Sequence, residues 1–529
     1  MNDPTGTYAF AYDNMGRLIG TTTSYSFLTS RNFTNAYTYD AASNRTGFTD
    51  PESGATAYSY DALNRLTSLA PPSAFGSGSF GFTYDALSRR TQMTRPNSVT
   101  TNYTYDNLSR LLSVLHQASG STIDGASYTL DSAGNRTAKT DQLAAVTSNY
   151  GYDSIYQLLS ATQGSTTTES YTYDQVGNRK ASLGVSSYTT NASNELTATS
   201  SATYTYDSNG NTLTKTAGSN TTTYAWDYEN RLTSVTLPGS GGTVTFKYDP
   251  LGRRIEKTTS STTSVYAYDG DNLIEETNSS GTVVARYSQT QNIDEPLAML
   301  RSSTTSYYNA DGLGSITSLA NGAGALAQTY GYDSFGKQTS SSGSLINPLQ
   351  YTARESDTET GLYSYRARYY DPTLGRFISE DPIGFDADVD FYRYVENDPL
   401  SLVDPFGLSS LTFNRRDGTL TLIDKNGNVV MVCTAANNTA RNSNGPWPNG
   451  TYPFSRHQTH RANPNGPYGS YGIDIFDVPG RTGMGVHSGR ADKGGPNHPT
   501  EGCVRTTDPC MQGIVNWQSQ DPLTKITIQ

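Results

Sequence analysis

The chain has 529 residues, a net charge of −11 and only 34% hydrophobic residues. It contains no apolar run of about 18 residues, so we expect no transmembrane helix. The amino-terminal MNDPTGTYAF lacks the basic and apolar regions of a signal peptide, so export would need a dedicated machine. A hydrophobic fraction this low favours disorder, but 39 Tyr among many Thr, Ser, Gly and Asn favour short strands and turns instead. Three Cys are too few for a disulfide framework.

A Tyr-x-Tyr-Asp theme recurs through the first 300 residues, as in YSYDALNRLTSL, FTYDALSRRTQM and YTYDNLSRLLSV. Each unit continues with a turn of Asn, Ser or Gly, an Arg and an alternating apolar stretch, which predicts strand, turn and strand. Such self-similarity indicates stacked units, since one hairpin alone is marginal in water. We expect the Tyr rings to pack with their hydroxyl groups hydrogen-bonded. The Asp and Arg are expected to form ion pairs along a scaffold rather than a catalytic site.

The repeat resembles the YD repeats of Rhs proteins and of the related toxin-complex C subunits, over roughly residues 1–408. The resemblance implies an all-β shell, in which a β-sheet spiral forms a hollow cage around a C-terminal payload. Residues 1–306 would be the YD-repeat shell. Residues 307–408 would be the Rhs core-associated domain, because they contain GLYSYRARYYDPTLGRFISEDPIGF and ENDPLSLVDPFGL, which look like the Rhs core signature.

Two D-P-x-G segments lie in this signature, beginning at Asp381 and Asp404. Their composition is also that of two ordinary turns. In similar Rhs proteins the two aspartates form an intramolecular aspartyl protease, so the resemblance implies self-cleavage between Leu408 and Ser409. That chemistry needs two carboxylates close enough to share a proton. Arg376 is a candidate to orient one of them.

The composition changes after residue 408. Residues 409–529 hold four of the five His and all three Cys. Their 11 Lys or Arg and 8 Asp or Glu give a net charge of +3, against −14 for the first 408 residues. The stretch LTFNRRDGTLTLIDKNGNVVMVCTA predicts three short strands joined by Asp-Gly and Asn-Gly turns. We therefore predict a small, mostly β C-terminal domain whose function differs from that of the shell.

The His and Cys of GMGVHSGRADKGGPNHPTEGCVRTTD allow several interpretations. They are compatible with buried structural residues. A zinc site built from His487, His498, Cys503 and Cys510 is possible in ligand type, although the spacing is irregular. A metal-dependent nuclease is a third possibility, without an acidic cluster to support it. The fourth is a cysteine nucleophile, since Cys503 follows Gly502, which permits close approach of a substrate.

This stretch resembles the catalytic motif of L,D-transpeptidases of the YkuD type, in which a His is followed, after a variable lid, by Ser/Thr-His-Gly-Cys-x-Arg/Asn. Here the motif reads His487 and then TEGCVR at residues 500–505. The preceding WPNGTYPF looks like the strand entry of that family. Two departures are Glu501 in place of the usual His and a slightly short gap between His487 and Cys503. His498 lies in the lid and is expected to face the substrate or to be incidental.

The resemblance implies a role for each matched residue. Cys503 is the nucleophile and His487 is the base that takes its proton. The backbone amides of Gly502 and Cys503 form the oxyanion hole. Arg505 binds a substrate carboxylate, a role that suits its bidentate geometry, and Thr500 helps to shape the pocket. No metal and no cofactor is required.

These resemblances together predict an interbacterial effector. The released C-terminal domain would act as an L,D-carboxypeptidase or L,D-transpeptidase on the peptide stems of peptidoglycan in the periplasm of the target cell. The expected partners are peptidoglycan of target bacteria, a cognate immunity protein and a secretion-system spike or adaptor, such as that of type VI secretion, with no nucleic acid. Two alternatives stay open: a metal-dependent nuclease inside the cage, and a structural or adhesive YD-repeat surface protein.

Overall fold

The structure is a computed structural model that describes residues 1–382 and 390–406 and, within residues 410–528, the backbone of eight strands. Nearly all regular structure in these residues is β-strand, with single-turn 3-10 helices at Ser73–Phe75, Tyr351–Ala353 and Val395–Asn397. The predicted all-β fold class is confirmed. Within the described part of the chain, no helix has the length and hydropathy needed to cross a membrane.

The first sheet contains 17 antiparallel strands, each hydrogen-bonded to the next strand along the chain. Tandem hairpin units that stack side by side produce this up-and-down order. Its strands are β1 (Asn2–Asp3), β2 (Gly6–Tyr12), β3 (Leu18–Tyr25), β4 (Phe33–Tyr39), β5 (Arg45–Thr49), β6 (Ala55–Tyr60), β7 (Leu66–Ala70), β8 (Phe80–Tyr84), β9 (Arg90–Thr94), β10 (Thr100–Tyr105), β11 (Leu111–Ala118), β12 (Ser121–Leu130), β13 (Arg136–Asp141), β14 (Val146–Tyr152), β15 (Leu158–Gln163), β16 (Thr166–Tyr173) and β17 (Arg179–Ser182).

The second sheet repeats this arrangement with 16 antiparallel strands. It extends the strand–turn–strand pattern through the whole repeat region and beyond it to Gly343. Its strands are β18 (Tyr188–Thr190), β19 (Leu196–Thr199), β20 (Thr203–Tyr206), β21 (Thr212–Ala217), β22 (Asn220–Trp226), β23 (Leu232–Thr236), β24 (Thr243–Tyr248), β25 (Arg254–Thr258), β26 (Thr263–Asp269), β27 (Asn272–Asn278), β28 (Val283–Gln289), β29 (Pro296–Arg301), β30 (Thr304–Ala310), β31 (Ile316–Ala320), β32 (Leu326–Tyr332) and β33 (Gln338–Gly343).

Two smaller sheets follow. The first has four antiparallel strands, β34 (Glu355–Asp357), β35 (Leu362–Tyr365), β36 (Arg368–Asp371) and β37 (Arg376–Phe377). We call residues 355–382, which include this sheet, together with residues 390–406 the cap. The second is a closed eight-stranded sheet in the order β38-β39-β40-β44-β43-β42-β41-β45. Its strands are β38 (Ser410–Asn414), β39 (Thr419–Ile423), β40 (Val429–Ala436), β41 (Gly450–Gln458), β42 (Ile473–Phe476), β43 (Gly485–His487), β44 (Val504–Thr506) and β45 (Lys525–Ile528).

Most Tyr-x-Tyr-Asp units close their hairpins with a similar set of hydrogen bonds to the Asp side chain, as the turn between β6 and β7 illustrates. Asp61 Oδ1 accepts the N–H groups of Leu63 at 2.9 Å and Arg65 at 3.0 Å, and Asp61 Oδ2 accepts from Arg65 Nε at 2.7 Å. Asn64 adopts a φ of +60°, which favours Asn, Gly or another small residue there. The predicted Asp–Arg ion pair is confirmed in units Asp13–Arg17, Asp61–Arg65, Asp85–Arg89, Asp106–Arg110, Asp227–Arg231 and Asp249–Arg253.

Side chains of one unit also bind the next unit. Arg65 Nη1 donates to the carbonyl of Asp85 at 3.3 Å, and the Arg65 guanidinium lies 4.9 Å from the centre of the Tyr84 ring. Tyr84 in turn donates its hydroxyl hydrogen to the carbonyl of Leu66 at 2.7 Å. The same hydroxyl-to-carbonyl bond is made by Tyr39, Tyr60 and Tyr105, so the expected hydrogen bonding of the Tyr hydroxyl groups is confirmed for these units. The repeated Asp, Arg and Tyr are accounted for as scaffold residues.

The two long sheets are joined by contacts between residues more than 200 positions apart. Tyr25 donates to the carbonyl of Tyr266 at 2.8 Å. Arg45 Nη1 lies 2.6 Å from Asp269 Oδ2, with both side chains largely buried. A shared core stabilises the contact by removing apolar area from water, and its buried members include Tyr8, Phe33, Phe80, Ile255, Leu297 and Tyr307.

The cap binds turns of both sheets through hydrogen bonds to turn carbonyls. Tyr392 donates to Gly210 O at 2.7 Å, in a turn of the second sheet. Asn397 donates to Gly177 O at 2.8 Å, in the last hairpin turn of the first sheet. The cap is therefore fixed against the ends of two rigid sheets, and both D-P-x-G segments begin in it.

Candidate functional site

The two aspartates of the D-P-x-G segments meet at one arginine of the cap. Arg368, the first residue of β36, places its Nη2 atom 2.9 Å from Oδ2 of Asp381 and 3.2 Å from Oδ2 of Asp404. Because both oxygens contact the same nitrogen, the two carboxylates lie close together. All three side chains are at most 1% exposed. The sequence motif thus corresponds to a buried pair of carboxylates with a shared cation.

Aromatic rings and one backbone carbonyl hold Arg368 in place. Its guanidinium carbon lies 3.6 Å from the centre of the Phe377 ring, and its Nη1 donates to the carbonyl of Phe391 at 3.1 Å. The backbone N–H of Asp381 donates to the same carbonyl at 3.1 Å. The surrounding core contains Tyr365, Tyr370, Phe377 and Tyr394. The guanidinium is therefore fixed by stacking and hydrogen bonds before it meets either carboxylate.

The charge of this cluster favours one bound proton. With both aspartates ionised, two carboxylates and one guanidinium carry a net charge of −1, whereas a single added proton makes the cluster neutral. Burial among aromatic rings penalises net charge, and two neighbouring carboxylates resist simultaneous ionisation. Two neighbouring carboxyl groups that share one proton are the pairing that aspartyl hydrolysis uses.

The prediction that Arg376 orients one of this pair is wrong. Arg376 Nη2 lies 3.6 Å from Asp390 Oδ1 and donates to the carbonyl of Asn194 at 2.7 Å. Arg368, which is not among the residues predicted from the sequence, contacts both aspartates instead. A signal was present, because Arg368 stands in the aromatic run YSYRARYYDP, and an arginine on a strand with buried Tyr neighbours needs a carboxylate partner.

In the C-terminal sheet the backbone brings two predicted site residues to adjacent positions. The parallel strands β43 and β44 pair Val486 with Val504 and His487 with Arg505. His487 ends β43, and Arg505 also pairs with Ala436 of β40. The chain segment that follows Cys503 therefore runs beside the strand that ends in His487.

Several predicted residues lie outside the described part of the chain. These are the cleavage-site residues Leu408 and Ser409 and the C-terminal residues His498, Thr500, Gly502 and Cys503. The roles assigned to them from the motif therefore stay predictions.

Comparison with known proteins gives a consistent result for the shell. Residues 141–400 match the Teneurin YD-shell family, and residues 39–73 and 84–122 match the RHS Repeat family. The structure is similar to the crystal structure of TcdB2-TccC3-Cdc42, with a TM-score of 0.66 and 20% identity, over 77% of this chain and 24% of that chain. The fold and these matches define a YD-repeat shell like those of toxin cages.

Two curated relatives share part of the sequence. Double-stranded DNA deaminase toxin A of Burkholderia cenocepacia is 33% identical over 102 residues, which are 18% of this chain and 7% of that protein. The tRNA nuclease WapA of Bacillus subtilis is 37% identical over 101 residues, 18% of this chain and 4% of that protein. The match thus spans a small part of the length of each relative. An L,D-transpeptidase from Xylanimonas cellulosilytica gives a TM-score of only 0.19, which supports no assignment.

Proposed function

We propose that this chain is a self-cleaving toxin shell, in which Asp381 and Asp404 hydrolyse the peptide bond between Leu408 and Ser409. The observation that carries the proposal is the contact of both carboxylates with one nitrogen of Arg368. Two ordinary turns would not need their carboxylates to be buried on a common cation. Burying charged groups costs desolvation free energy, so this arrangement supports a role beyond turn formation.

The proposed reaction is a hydrolysis with balanced proton transfers. The ionised aspartate takes a proton from water while the water oxygen adds to the Leu408 carbonyl carbon. The protonated aspartate gives its proton to the Ser409 nitrogen as the C–N bond breaks. The products are a new carboxyl terminus at Leu408 and a new amino terminus at Ser409. Arg368 keeps the two carboxylates together throughout.

Intact-mass analysis of the purified protein tests this step. We expect a fragment that begins at Ser409, with a mass of about 13 kDa scaled from the 57.2 kDa of the whole chain. Asp381→Asn and Asp404→Asn should each leave a single chain. The matched control is Asp390→Asn, which alters another buried cap aspartate, one that pairs with Arg376. If the double Asp381→Asn, Asp404→Asn variant still yields the fragment, the aspartyl mechanism is wrong.

For the released domain we propose cysteine-dependent chemistry on peptidoglycan stem peptides. The support is the sequence motif from His487 to Arg505 together with the pairing of these two residues on adjacent strands. In the proposed reaction the Cys503 thiolate attacks the carbonyl carbon that links the L-centre of the diamino acid to D-alanine, and a thioester forms. The bond to the D-alanine nitrogen breaks, and D-alanine leaves after this nitrogen takes up a proton. Water or a D-amino acid then opens the thioester and restores the thiol.

The biological setting that we propose is competition between bacteria. The shell would be exported by a dedicated secretion system, with a spike or adaptor as partner, and the producer would be protected by an immunity protein. The domain would act in the periplasm of the target cell. A nucleic-acid-acting payload is the alternative outcome, since two proteins with related sequence are named as a DNA deaminase toxin and a tRNA nuclease.

One experiment separates these payloads. The purified, self-cleaved protein is incubated with isolated peptidoglycan, with DNA and with tRNA, each with and without a metal chelator. We expect stem peptides shortened by D-alanine, or exchanged at that position, with chelator present, and no change in either nucleic acid. Metal-dependent digestion of nucleic acid with intact stems would replace the peptidoglycan proposal with the nuclease.

A further inference from the structure

A second arginine of the cap, Arg366, binds the residues that directly follow Asp404. It lies in the turn between β35 and β36, with a φ of +60°. Its Nη1 donates to the carbonyl of Pro405, and its guanidinium carbon lies 5.4 Å from the centre of the Phe406 ring. Arg366 and Arg368 are two residues apart in the chain. They therefore contact consecutive parts of one segment, Arg368 at the Asp404 side chain and Arg366 at the next two residues.

The Arg366 guanidinium is itself fixed by a carboxylate from the second sheet. Asp294 Oδ1 accepts from Arg366 Nη2 at 2.7 Å, and Asp294 Oδ2 accepts from Arg366 Nη1 at 3.0 Å. Arg366 Nη2 also lies 3.3 Å from the carbonyl of Asp271. A two-bond contact of this type holds the plane of the guanidinium as well as its position. The Arg366 guanidinium therefore directs one N–H towards the carbonyl of Pro405 and places its flat face against the Phe406 ring.

We propose that Arg366 is a positioning residue for self-cleavage, because it fixes the backbone at Pro405 and the ring of Phe406 relative to the aspartate pair. This inference rests on the proposed cleavage between Leu408 and Ser409. Pro405 and Phe406 lie between the catalytic Asp404 and that bond, so their placement sets where the bond is presented. Small displacements matter in such a reaction, since a misplacement of about 1 Å costs up to 100-fold in rate.

Nothing in this arrangement requires Arg366 to touch the reacting atoms. Its polar contacts in the described residues are Asp294, the carbonyl of Asp271 and the carbonyl of Pro405. It therefore acts through the segment that it holds. Its loss should slow cleavage without changing the groups that titrate during the reaction.

The test is the rate at which the Ser409 fragment appears during cell-free synthesis of the full chain, followed by intact mass at several pH values. Arg366→Lys keeps a charge for Asp294 but loses the two-bond contact and the flat face. The matched control is Arg354→Lys, which alters the other arginine on Asp294, with Nη1 at 2.5 Å from Oδ1. Phe406→Leu removes only the ring and leaves the ion pair intact.

We expect Arg366→Lys to slow cleavage about 10- to 100-fold, with the shape of the rate–pH profile unchanged. Phe406→Leu should slow it less, and Arg354→Lys should cleave near the wild-type rate. Wild-type rates in both Arg366→Lys and Phe406→Leu would overturn the proposal, as would an equal loss in Arg354→Lys. Failure of the cleavage proposal itself looks different, because the aspartate variants would then still release the fragment.

Discussion

The Nη2 atom of Arg368 lies 2.9 Å from Oδ2 of Asp381, and both side chains are fully enclosed in the cap. A guanidinium in this position balances the charge of one of the two buried carboxylates. The same contact joins a D-P-x-G motif that the sequence reveals to an arginine whose need for a carboxylate the sequence indicates but whose partners it does not identify. We expect the stability of the cap and the proposed cleavage chemistry both to depend on this one cation.

Arg368→Met should abolish self-cleavage and destabilise the cap. Removing one partner of a buried ion pair leaves an uncompensated charge, at a cost of roughly 3–5 kcal/mol. Arg368→Lys should retain slow cleavage, since a single ammonium reaches a carboxylate but cannot also stack on Phe377 and bind the Phe391 carbonyl. Intact mass and thermal unfolding measure the two effects. Arg301→Met, which breaks a different ion pair with Glu276, should cleave normally, and full cleavage in Arg368→Met would contradict the assigned role.

Tyr84→Phe should loosen the hairpins around β7 and β8. The variant loses the hydroxyl that donates to Leu66 O at 2.7 Å while the ring still packs, so the expected cost is about 1 kcal/mol. Hydrogen–deuterium exchange of peptides from β6 to β9 should accelerate about fivefold if opening is local, in line with that cost. Tyr12→Phe is the control, because Tyr12 is 57% exposed. Equal effects of the two variants would show that the hydroxyl bond contributes nothing.

Asp333 should make the shell less stable as the pH rises towards neutral. Burial, and next the charge of Glu169, raise the pKa of this carboxyl from 3.8 to about 7, although the backbone N–H of Lys337 and the charges of Arg179 and Lys337 oppose the shift. The folded protein therefore binds one more proton than the unfolded chain between about pH 4 and pH 7. Stability falls through that window, by up to about 1.4 kcal/mol per pH unit, and levels off above it.

Asp333→Asn should remove this pH dependence, because an amide side chain does not titrate. The turn should be retained, since the amide oxygen can still accept the N–H groups of Phe335 and Lys337. Unfolding temperatures of variant and wild type, measured from pH 4 to pH 8, provide the test. The control is Asp13→Asn, because hydrogen bonds from the backbone and side chain of Arg17 lower the pKa of the half-buried Asp13. Parallel stability curves for Asp333→Asn and wild type would refute the linkage.

His487→Ala should impair the Cys503 thiol, if His487 is its base. The ordinary thiol pKa of about 8.5 leaves little thiolate at neutral pH, and general-base help contributes roughly 10²–10⁴-fold. The measurement is the rate of Cys503 alkylation in the full chain as a function of pH, followed by peptide mass spectrometry. We expect His487→Ala to lose the alkylation that occurs at low pH and His498→Ala to retain it. The reverse pattern would assign the base to His498. Cys503→Ala should remove all action on stem peptides.

Local sequence determined the strands and turns of this protein. Alternating Tyr and Thr specify strands, and an Asp followed by Asn, Ser or Gly specifies the turn, because these preferences act over four or five residues. The ion pair of Asp61 with Arg65 could be predicted for the same reason, since its partners are four residues apart in one turn. The all-β class and the scaffold role of the repeats follow from this short-range physics.

The tertiary structure alone decided which distant residues meet. Arg45 binds Asp269, and Arg366 binds Asp294, because of how two long sheets and a cap are placed against each other. Nearly every unit offers the same Asp, Arg and Tyr, so no local preference selects one partner over another. Arg376 and Arg368 are both arginines beside the D-P-x-G motif, and only the packing of β36 against Phe377 and Phe391 brings Arg368 to the two aspartates.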